Sequence, residues 1–161
     1  MDVNAQPLFN ADALKFLTTF HYQMPKTSAL SIMPYLMRFL LCESNVFHSY
    51  AGKCIEKMLI VKDGRQLQYT PSDINPFLQP LMTNLFNALK LPESQGNPYV
   101  MKCIIRVVGI ANLTGDLAIG CLTGLTSILN EVCKNPKDPS FNHYLFKSVA
   151  ALMRRYCERD P

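Results

Sequence analysis

One six-residue pattern occurs three times in this chain and restricts its fold more than any other feature. Tyr50-x-x-Lys53-Cys54-Ile55 returns as Tyr99-x-x-Lys102-Cys103-Ile104 and again as Tyr144-x-x-Lys147-Ser148-Val149. The offsets are 49 and 45 residues, close to the roughly 40–47 residues of a HEAT or armadillo unit. The phase holds beyond the pattern itself. Met58, Val107 and Leu152 follow each tyrosine by eight residues, and Leu59, Val108 and Met153 by nine. Upstream, Ile74 and Ile119 each precede a tyrosine by 25 residues. On a helix, Tyr50, Ala51, Cys54, Ile55, Met58 and Leu59 form one apolar face, with Lys53 and Lys57 opposite. One helix cannot bury such a face alone, so successive helix pairs must stack. Leu59, Val108 and Met153 are therefore expected at the interfaces between neighbouring pairs.

Helix signals fill the rest of the chain. Asn10, Ser44, the run Thr70-Pro71-Ser72-Asp73, Asn97-Pro98, Thr114-Gly115-Asp116 and Asp138-Pro139 each precede an apolar run of helical period. They predict seven helices, near 10–23, 27–42, 45–61, 73–90, 98–113, 116–134 and 140–158. The expected architecture is all-α. It is a right-handed α-solenoid of HEAT-type pairs, about three and a half repeats long. Residues 1–161 are read as one such segment, with a half pair at 10–23 and pairs at 27–61, 73–113 and 116–158. Pro34, Pro76 and Pro80 fall inside the first helix of a pair, where each removes a backbone hydrogen bond. A later start of the fourth helix, near residue 80, is the alternative. The longest connection, 62–72, carries a turn at Asp63-Gly64.

Composition narrows the function classes. The chain is 48% hydrophobic and 17% charged, which excludes a disordered chain. Its net charge of +4 permits an acidic partner without demanding nucleic acid. Cys42, Cys54, Cys103, Cys121, Cys133 and Cys157 form no C-x-x-C pair, and most lie in apolar stretches. With no signal-like N-terminal segment, this argues for a reducing, intracellular compartment. The weakly charged stretch from Val107 to Leu129 is interrupted by Asn112, Gly115 and Asp116, so no membrane insertion is expected.

The chain lacks a recognisable catalytic or cofactor motif. Gly120-x-x-x-Gly124 is not followed by the lysine of a phosphate loop, and reads as close helix packing. His21, His48 and His143 lie on separate helices, so no metal site is expected. Cys54 and Cys103 follow lysines, yet both fall on the apolar face and read as inert. Neither an enzyme nor a cofactor is expected.

The candidate partner-binding residues are the basic positions of the repeat: Lys53, Lys57, Lys102, Arg106, Lys147 and Arg154. They read either as a positive ladder facing an acidic partner, or as a solvated face paired to acids such as Glu56 and Glu131. Exposed ion pairs contribute only ~0–1 kcal/mol each, so stability alone explains a regular ladder poorly. No aromatics interleave on that face for base stacking, which disfavours a nucleic-acid channel.

The stretches HSYAGKCIEKMLIVKDG (48–64), LMTNLFNALKLPES (81–94), NPYVMKCIIRVVG (97–109), LTSILNEVCKNPKDPSFNHYLFKSVA (125–150) and LMRRYCERD (152–160) resemble one family closely. It is the cellular-apoptosis-susceptibility or chromosome-segregation family of exportins, importin-β-like karyopherins. The resemblance implies a HEAT superhelix that binds importin-α with the GTP form of Ran and returns importin-α from nucleus to cytoplasm. It implies no catalysis of its own. It further implies that this chain is an internal segment of a longer family member, that it shuttles through the nuclear pore, and that the isolated segment self-associates through exposed ends. A helical-repeat adaptor unrelated to nuclear transport is the second reading.

Overall fold

Local side-chain chemistry starts three of the helices, at Thr70, Asn97 and Asp138, while the expected caps Ser44 and Thr114 make no side-chain capping bond. The computed structural model describes residues 7–157, with side chains described from 10 to 155. It contains α1 (Pro7–Thr19), α2 (Lys26–Phe39), α3 (Asn45–Leu59), α4 (Pro71–Lys90), α5 (Pro98–Ile110), α6 (Gly115–Lys134) and α7 (Pro139–Cys157). At the start of α4 the Asp73 carboxylate accepts from the Thr70 N–H at 2.7 Å and from its hydroxyl at 2.8 Å. Asn97 accepts from the backbone of Tyr99 and Val100, and Asp138 from that of Ser140 and Phe141. These bonds satisfy N–H groups that a helix terminus leaves open. Asn10 is different: the helix already runs from Pro7, so Asn10 lies inside α1 and is buried.

Four helices end earlier than the periodicity predicts: α1, α2 (at Phe39 rather than 42), α3 (at Leu59 rather than 61) and α5. α1 stops at Thr19, because His21 Nδ1 lies 2.6 Å from the Thr18 carbonyl and takes an acceptor that a further turn would use. α5 stops at Ile110, because the Arg155 guanidinium donates to the carbonyls of Gly109 and Ala111, both at 2.7 Å. α4 runs unbroken from Pro71 through Pro76 and Pro80, so its start lies well before residue 80. Pro34, Pro76 and Pro80 all face solvent. Water can satisfy the carbonyls they orphan, which makes an internal proline tolerable there.

The chain is an all-α helical-repeat solenoid. α3 packs along both α1 and α5, and α5 along both α3 and α7, forming one continuous layer. α2, α4 and α6 lie on the other side, each against its partner α3, α5 or α7, and touch one another sparsely. A stack packed closely on one side and splayed on the other curves toward the close side. The layer α1-α3-α5-α7 is therefore the inner one. Its interfaces hold Ala51, Cys54, Ile55, Leu59, Val100, Ile104, Val107 and Val108, all fully buried. Each large apolar side chain buried this way stabilises the fold by about 1.5–3 kcal/mol.

The burial expected at the pair interfaces holds for Leu59 and Val108 and fails at Met153. Leu59 and Val108 are buried, but Met153 on α7 is 55% exposed, with no described helix packed beyond α7 on the side away from α5. Ile74 on α4 is buried, but Ile119 on α6 is 59% exposed, because α6 meets α4 only briefly. By length and composition α6 could also cross a membrane, although it packs against α7 here.

Between α3 and α4 the chain forms a small antiparallel hairpin, β1 (Lys62–Asp63) and β2 (Gln66–Leu67). Gly64 turns it at φ +63°, a backbone region that favours glycine. A single 3-10 turn at Pro92–Ser94 follows α4.

Candidate partner-binding surface

All six basic positions lie on the inner layer: Lys53 and Lys57 on α3, Lys102 and Arg106 on α5, Lys147 and Arg154 on α7. They do not have equal surroundings. Glu56 on α3 is a buried carboxylate with only 2% of its side chain exposed. It accepts from Arg106 Nε at 3.0 Å and lies 3.7 Å from Lys102 Nζ. A buried carboxylate needs such partners, since leaving one unpaired costs several kcal/mol. Lys102 and Arg106 therefore hold α3 to α5 as well as presenting charge. Among the described residues, no carboxylate oxygen lies within 4.0 Å of Lys53, Lys57, Lys147 or Arg154. Glu131, the other expected acid, pairs instead with Lys134 on its own helix at 3.4 Å, both side chains exposed.

The repeated tyrosine explains where the lysines lie. Lys15 Nζ stands 5.3 Å from the centre of the Tyr50 ring, Lys53 5.8 Å from Tyr99, and Lys102 5.7 Å from Tyr144. Each cation faces the ring of the next inner helix, an interaction of about 0.5–1 kcal/mol at exposed sites. The expectation of a basic face without aromatics is thus corrected. Projection of one helix cannot show a ring supplied by its neighbour.

Other candidate groups are structural. His48 is buried, with Nε2 2.6 Å from the Cys42 carbonyl and Nδ1 2.7 Å from Ser94 Oγ. The carbonyl can only accept, so Nε2 carries the proton and the Ser94 hydroxyl donates to Nδ1. Burial lowers the His48 pKa and keeps the ring neutral. Burial pushes the Cys54 and Cys121 thiols up to about 11, and raises Cys103 further. Cys42 is also buried, Cys133 is exposed, and the side chain of Cys157 lies outside the described residues. Thiols held protonated at neutral pH are poor nucleophiles. The described residues include no cluster of three or more metal-ligating side chains.

Three glycines have distinct settings. Gly52 lies where α3 crosses the start of α5: a methyl group there would come 3.2 Å from the Tyr99 carbonyl oxygen. Gly124 packs under Phe86, whereas nothing lies within 4 Å of a methyl group placed at Gly120. Close packing thus explains one end of the Gly120-x-x-x-Gly124 motif and not the other. On the outer side, Met82, Phe86, Leu117, Cys121, Gly124 and Ile128 line a groove of about 670 Å³ between α4 and α6.

A stack of HEAT-type helix pairs with cations along its inner helices defines the class: a helical-repeat protein. A family model described as "CAS/CSE protein, C-terminus" matches residues 56–161, and one described as "Cse1" matches residues 1–55. The chain belongs to the CAS/CSE family. It is 38% identical to Exportin-2 of Danio rerio over 162 positions, covering 99% of this chain and 17% of that protein. It is 37% identical to Exportin-2 of Homo sapiens, with the same coverage of each chain. Against Exportin-2 of Drosophila melanogaster the identity is 36%, over 99% of this chain and 16% of that protein. The chain thus spans about 17% of the length of the curated relatives it matches.

Proposed function

We propose that this chain is part of a nuclear export receptor. It is a non-catalytic scaffold that helps bind importin-α together with the GTP form of Ran and shuttles between nucleus and cytoplasm. The observation that carries this reading is the CAS/CSE match across residues 56–161. The cations of the inner helices support it, since charge complementarity steers partners and sets association rates. In this reading Lys53, Lys57, Lys147 and Arg154 meet an acidic partner surface, and Lys102 and Arg106 combine that task with holding Glu56. The chain works as one segment, composed of a half pair at 10–23 and pairs at 27–61, 73–113 and 116–158. No observation of comparable weight supports an adaptor outside nuclear transport.

A chimera tests the proposal. Replacing the matching segment of a full-length Exportin-2 with this chain is expected to preserve Ran-GTP-dependent capture of importin-α. A folded chimera that captures none would refute the reading. The isolated chain is expected to self-associate through Phe16 and Phe20 at one end and Phe146 and Met153 at the other, all exposed. Light scattering that reports a monomer at high micromolar concentration would contradict that expectation.

A further inference from the structure

We propose that a pocket on the inner layer, formed by Tyr22, Ile60, Lys62, Leu67 and Arg106, receives an acidic side chain of a protein partner together with the apolar residue beside it. This rests on reading the inner layer as a partner-binding face. The pocket has a volume of about 430 Å³. Its walls come from distant parts of the chain: the turn after α1, the end of α3, the hairpin and the middle of α5.

The hairpin register supplies the selectivity. Lys62 lies directly opposite Leu67, and Asp63 opposite Gln66. Residues paired across two strands share a face, and neighbours along a strand point to opposite faces. Lys62 and Leu67 therefore enter the pocket together, while Asp63 is directed away from it. Charge completes the argument. Arg106 bonds Glu56 through Nε alone, so the Nη groups of its fork remain for a second carboxylate, and 44% of its side chain is exposed. The lining holds two cations, Lys62 and Arg106, and no carboxylate. The cluster thus carries an excess of positive charge. Beside it, Tyr22 is 65% exposed and Leu67 42% exposed, two large side chains open to solvent. A carboxylate on Arg106 and Lys62, with an apolar neighbour on Leu67, Ile60 and the Tyr22 ring, matches both halves.

The test follows the methyl resonances of Ile60 and Leu67 in the full chain as capped peptide is added to millimolar concentration. The capped tetrapeptide Ser-Glu-Leu-Ser is expected to shift both, and its Gln counterpart to bind about tenfold or more weakly. Lys62→Glu is expected to abolish the response to the Glu peptide, and Lys134→Glu, on the outer helix α6, to leave it intact. Equal response to the two peptides, no response, or an unchanged response in Lys62→Glu would overturn the proposal. Inorganic phosphate that shifts Leu67 as far as the Glu peptide does would overturn its apolar half. A working pocket in a chain whose chimera captures no importin-α would leave the pocket standing and refute the transport reading alone.

Discussion

The inner and outer helices of this solenoid are built from similar sequences and end in different states. α3 and α5 bury whole faces against each other, and a glycine at 52 admits backbone contact between them. α4 and α6 approach so loosely that a groove separates them, and Ile119 stands in solvent. The difference shows that the stability of the stack resides in the inner layer, where its charge also lies. The outer layer is joined by isolated links. One is the ion pair between Lys26 on α2 and Asp73 on α4, at 2.6 Å. Another is the bond from Asn84 Nδ2 to the Met37 carbonyl at 3.1 Å.

The comparison is sharpest for residues of equal repeat phase. Val108→Asp places an unpaired charge in the inner layer, and is expected to cost more than about 4 kcal/mol, read as a fall in the urea midpoint. Met153→Asp, at the same phase on the open face of α7, should change that midpoint little. Equal losses would break the account of the layers.

Next in size is the Glu56 cluster. Arg106→Met keeps much of the packing of the side-chain stem but leaves Glu56 with Lys102 alone. The expected loss is about 1–3 kcal/mol, below the ~3–5 kcal/mol of a fully buried pair because Arg106 is half exposed. The double variant Glu56→Leu, Arg106→Met should recover most of it, and a double-mutant cycle measures the coupling. Additive losses would mean that the two residues act independently.

The helices themselves were readable from the sequence because apolar period, caps and prolines are local properties of the chain. The burial of Leu59 and Val108 was readable because the repeat fixes their phase. Partners across helices were not. That Lys53 would lie over Tyr99, or that Arg155 would terminate α5, depends on the offset between neighbouring helices, which one helix projection does not contain. The pocket at Lys62 was visible only as a turn signal at Asp63-Gly64. Its other walls, Tyr22 and Arg106, are far away in the chain.

Substitutions at Gly52 and Gly120 are expected to differ in sign, at about 1 kcal/mol. Gly52→Ala is expected to destabilise, since the new methyl group would crowd the Tyr99 backbone. Gly120→Ala should stabilise by about 0.5–1 kcal/mol through helix propensity, having open space around it. Thermal melting of both variants, moving in opposite directions, is the expected result.

The smallest effect belongs to the outer layer and depends on pH. The Lys26 ammonium, followed by the Thr70 N–H, holds the Asp73 pKa down at about 2. A depressed carboxylate contributes stability that is present above its unfolded value of about 4 and is lost as pH falls toward 2. Wild type and Asp73→Asn should therefore differ at neutral pH by no more than about 1 kcal/mol, given the partial exposure of the pair. The gap should close on acidification. A gap that persists at pH 2 would assign the effect to packing.

The central claim is that the inner layer carries both the stability of the stack and its attraction for an acidic partner. Reversing Lys102 would set a second carboxylate beside Glu56 and confuse those two roles, so the clean variant changes only cations without a carboxylate partner among the described residues. In the full-length chimera, Lys53→Glu, Lys147→Glu and Arg154→Glu together should slow association with importin-α and Ran-GTP by about tenfold or more at low salt. The difference should shrink as salt screens the field, with the melting temperature nearly unchanged. Association at the wild-type rate in low salt, by a variant that melts like the wild type, would contradict the claim.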